Sequence, residues 1–212
     1  MPPRIARFVE LLLGLIAPSA CPACHAGEPN PVFCTACGLP APVGAGAIDG
    51  VPVLAAGEYA PPLSDAIRRF KFEGRSELAR PLATLLVPKL RELGLCARDA
   101  WVPVPLHRAR LVERGYNQAA LLARALATRS GATFAPLLLE RRRETDQQAR
   151  LGRAARSENA FGAFALRRSF SGGRVVLVDD VVTTGATADA ASRALLDAGA
   201  IRVTVLALAR AE

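Results

Sequence analysis

The stretch Arg174-Val-Val-Leu-Val-Asp-Asp-Val-Val-Thr-Thr-Gly-Ala-Thr187 limits the possible folds more than any other part of the chain. An unbroken run of β-formers suits a strand covered on both faces, as in a parallel sheet flanked by helices. Two acids, Asp179 and Asp180, stand at its carboxyl end, and a loop of small and hydroxyl residues follows. Apolar residues then recur at helical spacing from Ala188 to Ala198, with Gly199 as a stop signal. In open α/β sheets, ligands bind beyond the carboxyl ends of the strands. Backbone N–H groups of Thr184 to Thr187, Ala186 included, would face an anion at the helix start. The hydroxyls of Thr183, Thr184 and Thr187 add donors, and Gly185 lets the backbone come close. Asp179 and Asp180 cannot serve a phosphate, because like charges repel. They suit neutral sugar hydroxyls or a hydrated Mg²⁺. The combination points to a sugar phosphate with free hydroxyls. With no Gly-x4-Gly-Lys, the loop is not a P-loop.

Other segments extend the same architecture. Trp101-Val-Pro-Val, Ala132-Thr-Phe and Ile201-Arg-Val-Thr-Val-Leu read as strands, and Asn117 to Arg129 as a helix. Strands alternating with helices imply βαβ units and a parallel sheet. Pro and Gly crowd Pro40 to Pro62, which reads as a linker running into a first strand, with the alternation starting at Glu58.

The cysteines mark a second unit. Cys21-x2-Cys24 and Cys34-x2-Cys37 can present four thiolates to one tetrahedral Zn²⁺. Gly38 would ease the approach of backbone to sulfur. So small a segment cannot bury a core, so metal binding would supply its folding energy. Disulfides, iron and redox chemistry are alternatives, as is c-type haem at Cys21-Pro-Ala-Cys24-His25. Haem would leave the second Cys pair unexplained, and no Met other than Met1 is present as an axial ligand. Cys96 reads as a buried apolar thiol. Residues 1–18 carry Ile5, Phe8, Val9, Leu12, Leu13 and Ile16 on one helical face. A signal peptide is the competing reading there, and Glu10 fits it poorly.

Charge adds a partner class. The formal net charge is +8. Residues 101–174 hold 14 arginines against 5 acids, whereas the remainder holds 13 basic and 14 acidic residues. A focused positive field implies an anionic partner, either a phosphorylated metabolite or nucleic acid. No apolar run approaches the ~20 residues needed to span a bilayer, so no membrane span is expected.

Val175 to Thr187 resembles the phosphoribosyl-pyrophosphate (PRPP) signature of type I phosphoribosyltransferases. The rest of the chain resembles the ComF family of competence-associated, phosphoribosyltransferase-like proteins. The resemblance rests on the Cys pairs, Lys71-Phe-x-Gly74 and Val102-Pro-Val-Pro-Leu-His107. It also rests on Arg114-Gly-Tyr-Asn-Gln118 and Gln148-x2-Leu151-x4-Arg156-x2-Asn159. It implies a type I phosphoribosyltransferase-like parallel sheet flanked by helices, with a small N-terminal four-cysteine zinc ribbon. The expected division is a helix over 1–18, the ribbon over 19–45 and the phosphoribosyltransferase-like domain over 46–212.

The resemblance also implies roles. Asp179 and Asp180 would hold the ribose hydroxyls, and Thr183 to Thr187 the 5′-phosphate. The loop carrying Leu106, His107, Arg108 and Arg110, with Arg114, would bind pyrophosphate, and Lys71 and Arg156 would be further PRPP contacts. Residues 141–156 would form a basic hood, although Arg141-Arg-Arg143 equally suits a solvated face. Asn117 equally suits a helix N-cap. Purine-salvage relatives place an aspartate where Thr183 stands. Thr183 is no general base at neutral pH, so the acceptor and its base stay unassigned. Two functions follow for a cytoplasmic protein linked to DNA uptake. One is Mg²⁺-dependent transfer of a phosphoribosyl group. The other is non-catalytic binding of single-stranded DNA, or a scaffold for a competence helicase or recombination protein.

Overall fold

The computed structural model describes residues 20–27, 32–94, 99–142, 162–170 and 172–211. The 1–18 stretch, Cys96, Arg156 and most of the expected hood lie outside the described residues.

Chain order gives β1 (Gly46–Ile48), β2 (Val51–Glu58), α1 (Leu63–Phe72), a 3-10 turn (Ser76–Leu78) and α2 (Ala79–Leu93). Then come β3 (Ala100–Pro103), α3 (Arg108–Arg114), α4 (Gln118–Ser130), β4 (Thr133–Phe134), β5 (Leu139–Arg141) and β6 (Phe164–Leu166). The chain ends with β7 (Arg174–Val182), α5 (Ala186–Asp197) and β8 (Arg202–Arg210). Six strands form one sheet in the order β1-β2-β8-β7-β3-β4. All its pairings are parallel except β1 against β2. β5 and β6 pair separately and antiparallel.

Strand alternation builds the layers. Val176 and Val178 of β7, with Leu206 and Leu208 of β8, bury on the side of α1, α2 and α4. Val175 and Leu177, with Val203, Val205 and Ala207, bury on the side of α5, β5 and β6. Successive residues of a strand face opposite ways, so a run apolar at every position fills both layers. At the amino end of β7, Arg174 clamps the buried Asp99 through two bonds of 3.0 and 2.7 Å. Arg174 thus leaves the positive segment counted above for a structural ion pair at the end of β7 opposite Asp179 and Asp180.

The stretch 40–62, expected as a linker running into a first strand, is irregular at 40–45 and 59–62 and holds β1 and β2 between them, so strand starts well before Glu58. Pro52 sits near the start of β2 opposite Ala47 of the edge strand, where a missing N–H is tolerated. Gly57 is a packing requirement, because a Cβ there would lie 2.7 Å from the Ala41 carbonyl oxygen. Turn-like composition here reflects edge position and crowding. Pro88 inside α2 masked that helix in the same way.

The cysteine segment shares the larger core. Cys21, Ala23, Val32, Phe33 and Cys34 join the buried cluster containing Leu63, Ile67 and Phe70 of α1. The expectation of a segment with no core of its own is therefore qualified: it borrows one.

Candidate functional site

β7 delivers the loop. It ends at Val182, and α5 begins at Ala186 with Gly185 as its N-cap. Gly185 has φ +81°, and a Cβ there would lie 2.5 Å from Ile48 Cδ1 of β1. Only glycine meets both conditions. Thr183 and Thr184 are exposed, and Ala186 and Thr187 are half-buried. Asp179 and the loop from Val181 to Ala188 line a hollow of about 50 Å³. Hydroxyls and amides thus converge on open space beside a carboxylate.

Asp179 and Asp180 are neighbours on a strand, so their side chains leave opposite faces. The Asp179 carboxylate accepts a hydrogen bond from the Asp180 N–H at 2.8 Å. Burial, helped by the Asp180 charge, raises its pKa to about 7, against the opposing pull of Lys71 and Arg141. Asp180 turns towards α1, where Lys71 Nζ lies 2.7 Å from its Oδ1. Lys71, expected from the sequence to be an anion contact, is therefore brought to the acid pair as its counter-charge.

The second loop runs from Val104 to His107, between β3 and α3. β3 pairs with β7, Pro103 opposite Val178, so the two loops leave adjacent strand ends. Leu106 and His107 are half-buried, with His107 at the N-cap of α3. Arg108 and Arg110 are exposed, and Arg110 pairs with Glu113 at 2.9 Å. Arg114 is turned elsewhere: its guanidinium lies 5.0 Å from the centre of the Phe72 ring and donates to Gln118 Oε1 at 3.2 Å. Arg141 belongs to β5 and lies over Phe164 of β6, 5.6 Å from the ring centre. The expected hood over 141–156 therefore starts inside a strand pair rather than in an aperiodic loop.

The four cysteine sulfurs lie within 4.8 Å of one another. The Cys24 and Cys34 sulfurs are 3.5 Å apart. Four ligands at ~2.3 Å from a tetrahedral ion stand ~3.8 Å apart, so the set fits a metal ion such as Zn²⁺. Each pair forms a matching knuckle. His25 N–H bonds the Cys21 carbonyl and Gly38 N–H the Cys34 carbonyl, both at 3.0 Å. Both residues have positive φ, +65° at His25 and +70° at Gly38. A Cβ on Gly38 would meet nothing within 4 Å, so its handedness rather than crowding explains the glycine. Burial raises the Cys21 pKa, but backbone N–H groups of Cys34, Cys24 and Ala23 outweigh it and bring the thiol to about 6. Cys37 is pushed up, chiefly by its hydrogen bond with the Cys24 thiol. Four thiols this close do not all ionise without a cation among them.

Comparison with known proteins gives the family. The family model described as phosphoribosyl transferase domain matches residues 113–212. DNA utilization protein YhgH of Salmonella typhi is 37% identical over 190 residues, covering 84% of each chain. Competence protein F of Haemophilus influenzae is 38% identical over 162 residues, 73% of this chain and 71% of that one. Competence protein ComFC of Bacillus subtilis is 32% identical over 137 residues, 65% of this chain and 55% of that one. The chain belongs to the ComF family of phosphoribosyltransferase-like proteins.

In this ComF-family chain the Arg114–Gln118 segment is a brace, which spacing alone did not reveal. Gly115 (φ +76°) ends α3. The Tyr116 hydroxyl donates to the Phe70 carbonyl of α1. Asn117 caps α4, accepting from Ala120 N–H at 3.2 Å, and donates to the Val104 carbonyl at 3.0 Å. One asparagine is therefore both the N-cap expected of it and the tether of the second loop. Arg69, two residues before Lys71, reaches the Pro22 carbonyl at 3.4 Å. No sequence signal linked the first cysteine knuckle to α1. Among the described residues, no helix is long and apolar enough to cross a membrane.

Proposed function

We propose that this protein binds PRPP, or a related ribose phosphate, with Mg²⁺ and transfers its phosphoribosyl group to an acceptor. One observation carries the reading. The exposed Thr183-Thr184 loop leads into a helix at the carboxyl end of β7, with two residues between it and the carboxylates of Asp179 and Asp180. Amides and hydroxyls of residues 183–187 would hold the 5′-phosphate. Asp179, in the wall of the loop hollow, would accept from a ribose hydroxyl, and Asp180 would reach the neighbouring hydroxyl on leaving its pair with Lys71. Leu106, His107, Arg108 and Arg110 would face the pyrophosphate, and Lys71 would exchange Asp180 for an incoming anion.

In transfer, the bond from C1′ to pyrophosphate breaks with its electron pair on the leaving group. An acceptor lone pair forms the new bond to C1′. Mg²⁺ bound with PRPP neutralises charge on the departing pyrophosphate. The protein's own cations add to that stabilisation electrostatically. Zn²⁺ at Cys21, Cys24, Cys34 and Cys37 would be structural, four thiolates leaving no open position.

The relatives' names speak of competence and DNA utilization, and with them we place this protein's role in DNA uptake, in the cytoplasm. Exposed arginines on α3, a helix with no buried residue, favour a second reading in which the protein also binds single-stranded DNA. Such affinity should fall steeply with salt. Affinity that stays flat from low to moderate salt removes it.

The test of the main reading is calorimetric titration with PRPP and Mg²⁺, followed by a pyrophosphate-release assay with a panel of bases. Binding and release are expected, and Asp180→Asn should abolish both. PRPP that neither binds nor turns over defeats the reading.

A further inference from the structure

A second and larger hollow, of about 310 Å³, opens beside the phosphate loop. Ala47 and Ile48 give it an apolar wall, with Val53 and Val182 buried beneath, and Thr183, Arg210 and main-chain groups make the rest of its surface polar. Thr183 stands in the wall of this hollow and of the small one at the loop.

Arg210 is its cation. Its cross-strand neighbour on β2 is Glu58, yet among the described residues the two form no ion pair. The guanidinium lies over Gly46 instead. A Cβ on Gly46 would fall 2.1 Å from Arg210 Nη1. Gly46 thus keeps the space that the guanidinium occupies at the wall of the hollow. The hydrogen bond from Ala211 N–H to the Val182 carbonyl, at 2.9 Å, ties the ends of β8 and β7 together behind it.

The chemistry of the walls selects a ligand. Apolar side chains favour a compact apolar body, and a guanidinium with no carboxylate partner among the described residues favours an anion that takes two parallel hydrogen bonds. The volume lies at the low end for ligand pockets, about 300 Å³, enough for one ring and not for a polynucleotide. We infer that this hollow binds a small ring carboxylate, with its carboxylate on Arg210 and its ring against Ala47 and Ile48. The inference rests on the ribose-phosphate reading, because Thr183 borders both hollows and would bring the ring next to the ribose. There the ring carboxylate is the acceptor. A ring nitrogen gives its lone pair to C1′, pyrophosphate leaves with the C1′–O electron pair, and any proton on that nitrogen passes to water.

The experiment titrates the full chain with nicotinate and orotate, and with nicotinamide as the neutral match of nicotinate, in the presence of PRPP and Mg²⁺. At least one carboxylate should bind, and nicotinate should bind roughly ten-fold or more tighter than nicotinamide, as a charge-assisted pair implies. Arg210→Met should erase that preference while PRPP affinity stays within about two-fold, the spread of an untouched site. Gly46→Ala, which drives a methyl into the guanidinium, should weaken carboxylate binding in the same direction. The comparison of acid with amide needs no variant, so a poorly folded Arg210→Met leaves the test intact. Equal affinity for acid and amide, no carboxylate binding, or a preference that survives Arg210→Met each overturn the inference. PRPP binding without carboxylate binding overturns the inference alone. Carboxylate binding without PRPP binding defeats the ribose-phosphate reading and with it the acceptor role.

Discussion

Asp179 is held protonated well above the range of an exposed carboxyl, its pKa raised to about 7 by burial and by Asp180. A carboxyl whose pKa is higher in the folded state binds more protons folded than unfolded at intermediate pH. Stability from this group is complete below about pH 4 and is lost as pH rises through about 7. Asp179→Asn should remove that slope. Melting temperatures from about pH 5 to about pH 8 should therefore fall for the wild type relative to the variant. Parallel profiles would contradict the assignment.

Gly185 makes a sharper stability prediction. Alanine there meets both a left-handed backbone and the Ile48 side chain at 2.5 Å. The cost should be about 2 kcal/mol or more in urea unfolding. Gly38→Ala, with the same handedness and open space, should cost about 1 kcal/mol. Equal midpoints for the two would show that Ile48 yields without penalty.

Among the elements, α1 and the loop after β3 carry the most consequence. Lys71→Met leaves Asp180, largely buried, without its 2.7 Å partner. Breaking such a pair from one side costs about 3 kcal/mol. Asn117→Ala loses a helix cap and a loop tether together, about 1–2 kcal/mol. The strand β7 and the helix α5 were readable because an all-apolar run and a 3.6 period leave few alternatives. α1 and α2 were not readable, because Pro61, Pro62 and Pro88 give a turn signal that packing overrides. Position on the sheet edge likewise made strands of a Pro- and Gly-rich stretch. The thiol set was legible from spacing. The Lys71–Asp180 contact was not, since it joins residues far apart in sequence through tertiary packing alone.

For the molecule as a whole, the arginine excess of residues 101–174 falls by one when Asp99, outside that segment, is set against Arg174, and the other pairs use acids already counted. Arg174 neutralises Asp99, Arg142 and Arg167 share Glu140 at 3.0 and 2.9 Å, and Arg110 takes Glu113. Arg110 and Arg142 pair with acids two or three residues away, whereas Arg174 with Asp99 and Arg167 with Glu140 join residues far apart in sequence, and those pairs were not legible. The parallel sheet was legible because strands alternate with helices, but the order β1-β2-β8-β7-β3-β4, which sets the two loops side by side, was not, because tertiary packing decides which strands are neighbours.

α1 touches the first cysteine knuckle through Arg69 and the acid pair through Lys71, two positions along one rigid rod. A chelator that strips a metal ion held by the four thiols should therefore weaken PRPP affinity several-fold on the proposed reading, while circular dichroism shows the sheet still folded. Affinity that is indifferent to chelation would mean the rod transmits nothing. If the expected result holds, metal starvation or thiol oxidation in the cell would silence ribose-phosphate handling at a distance.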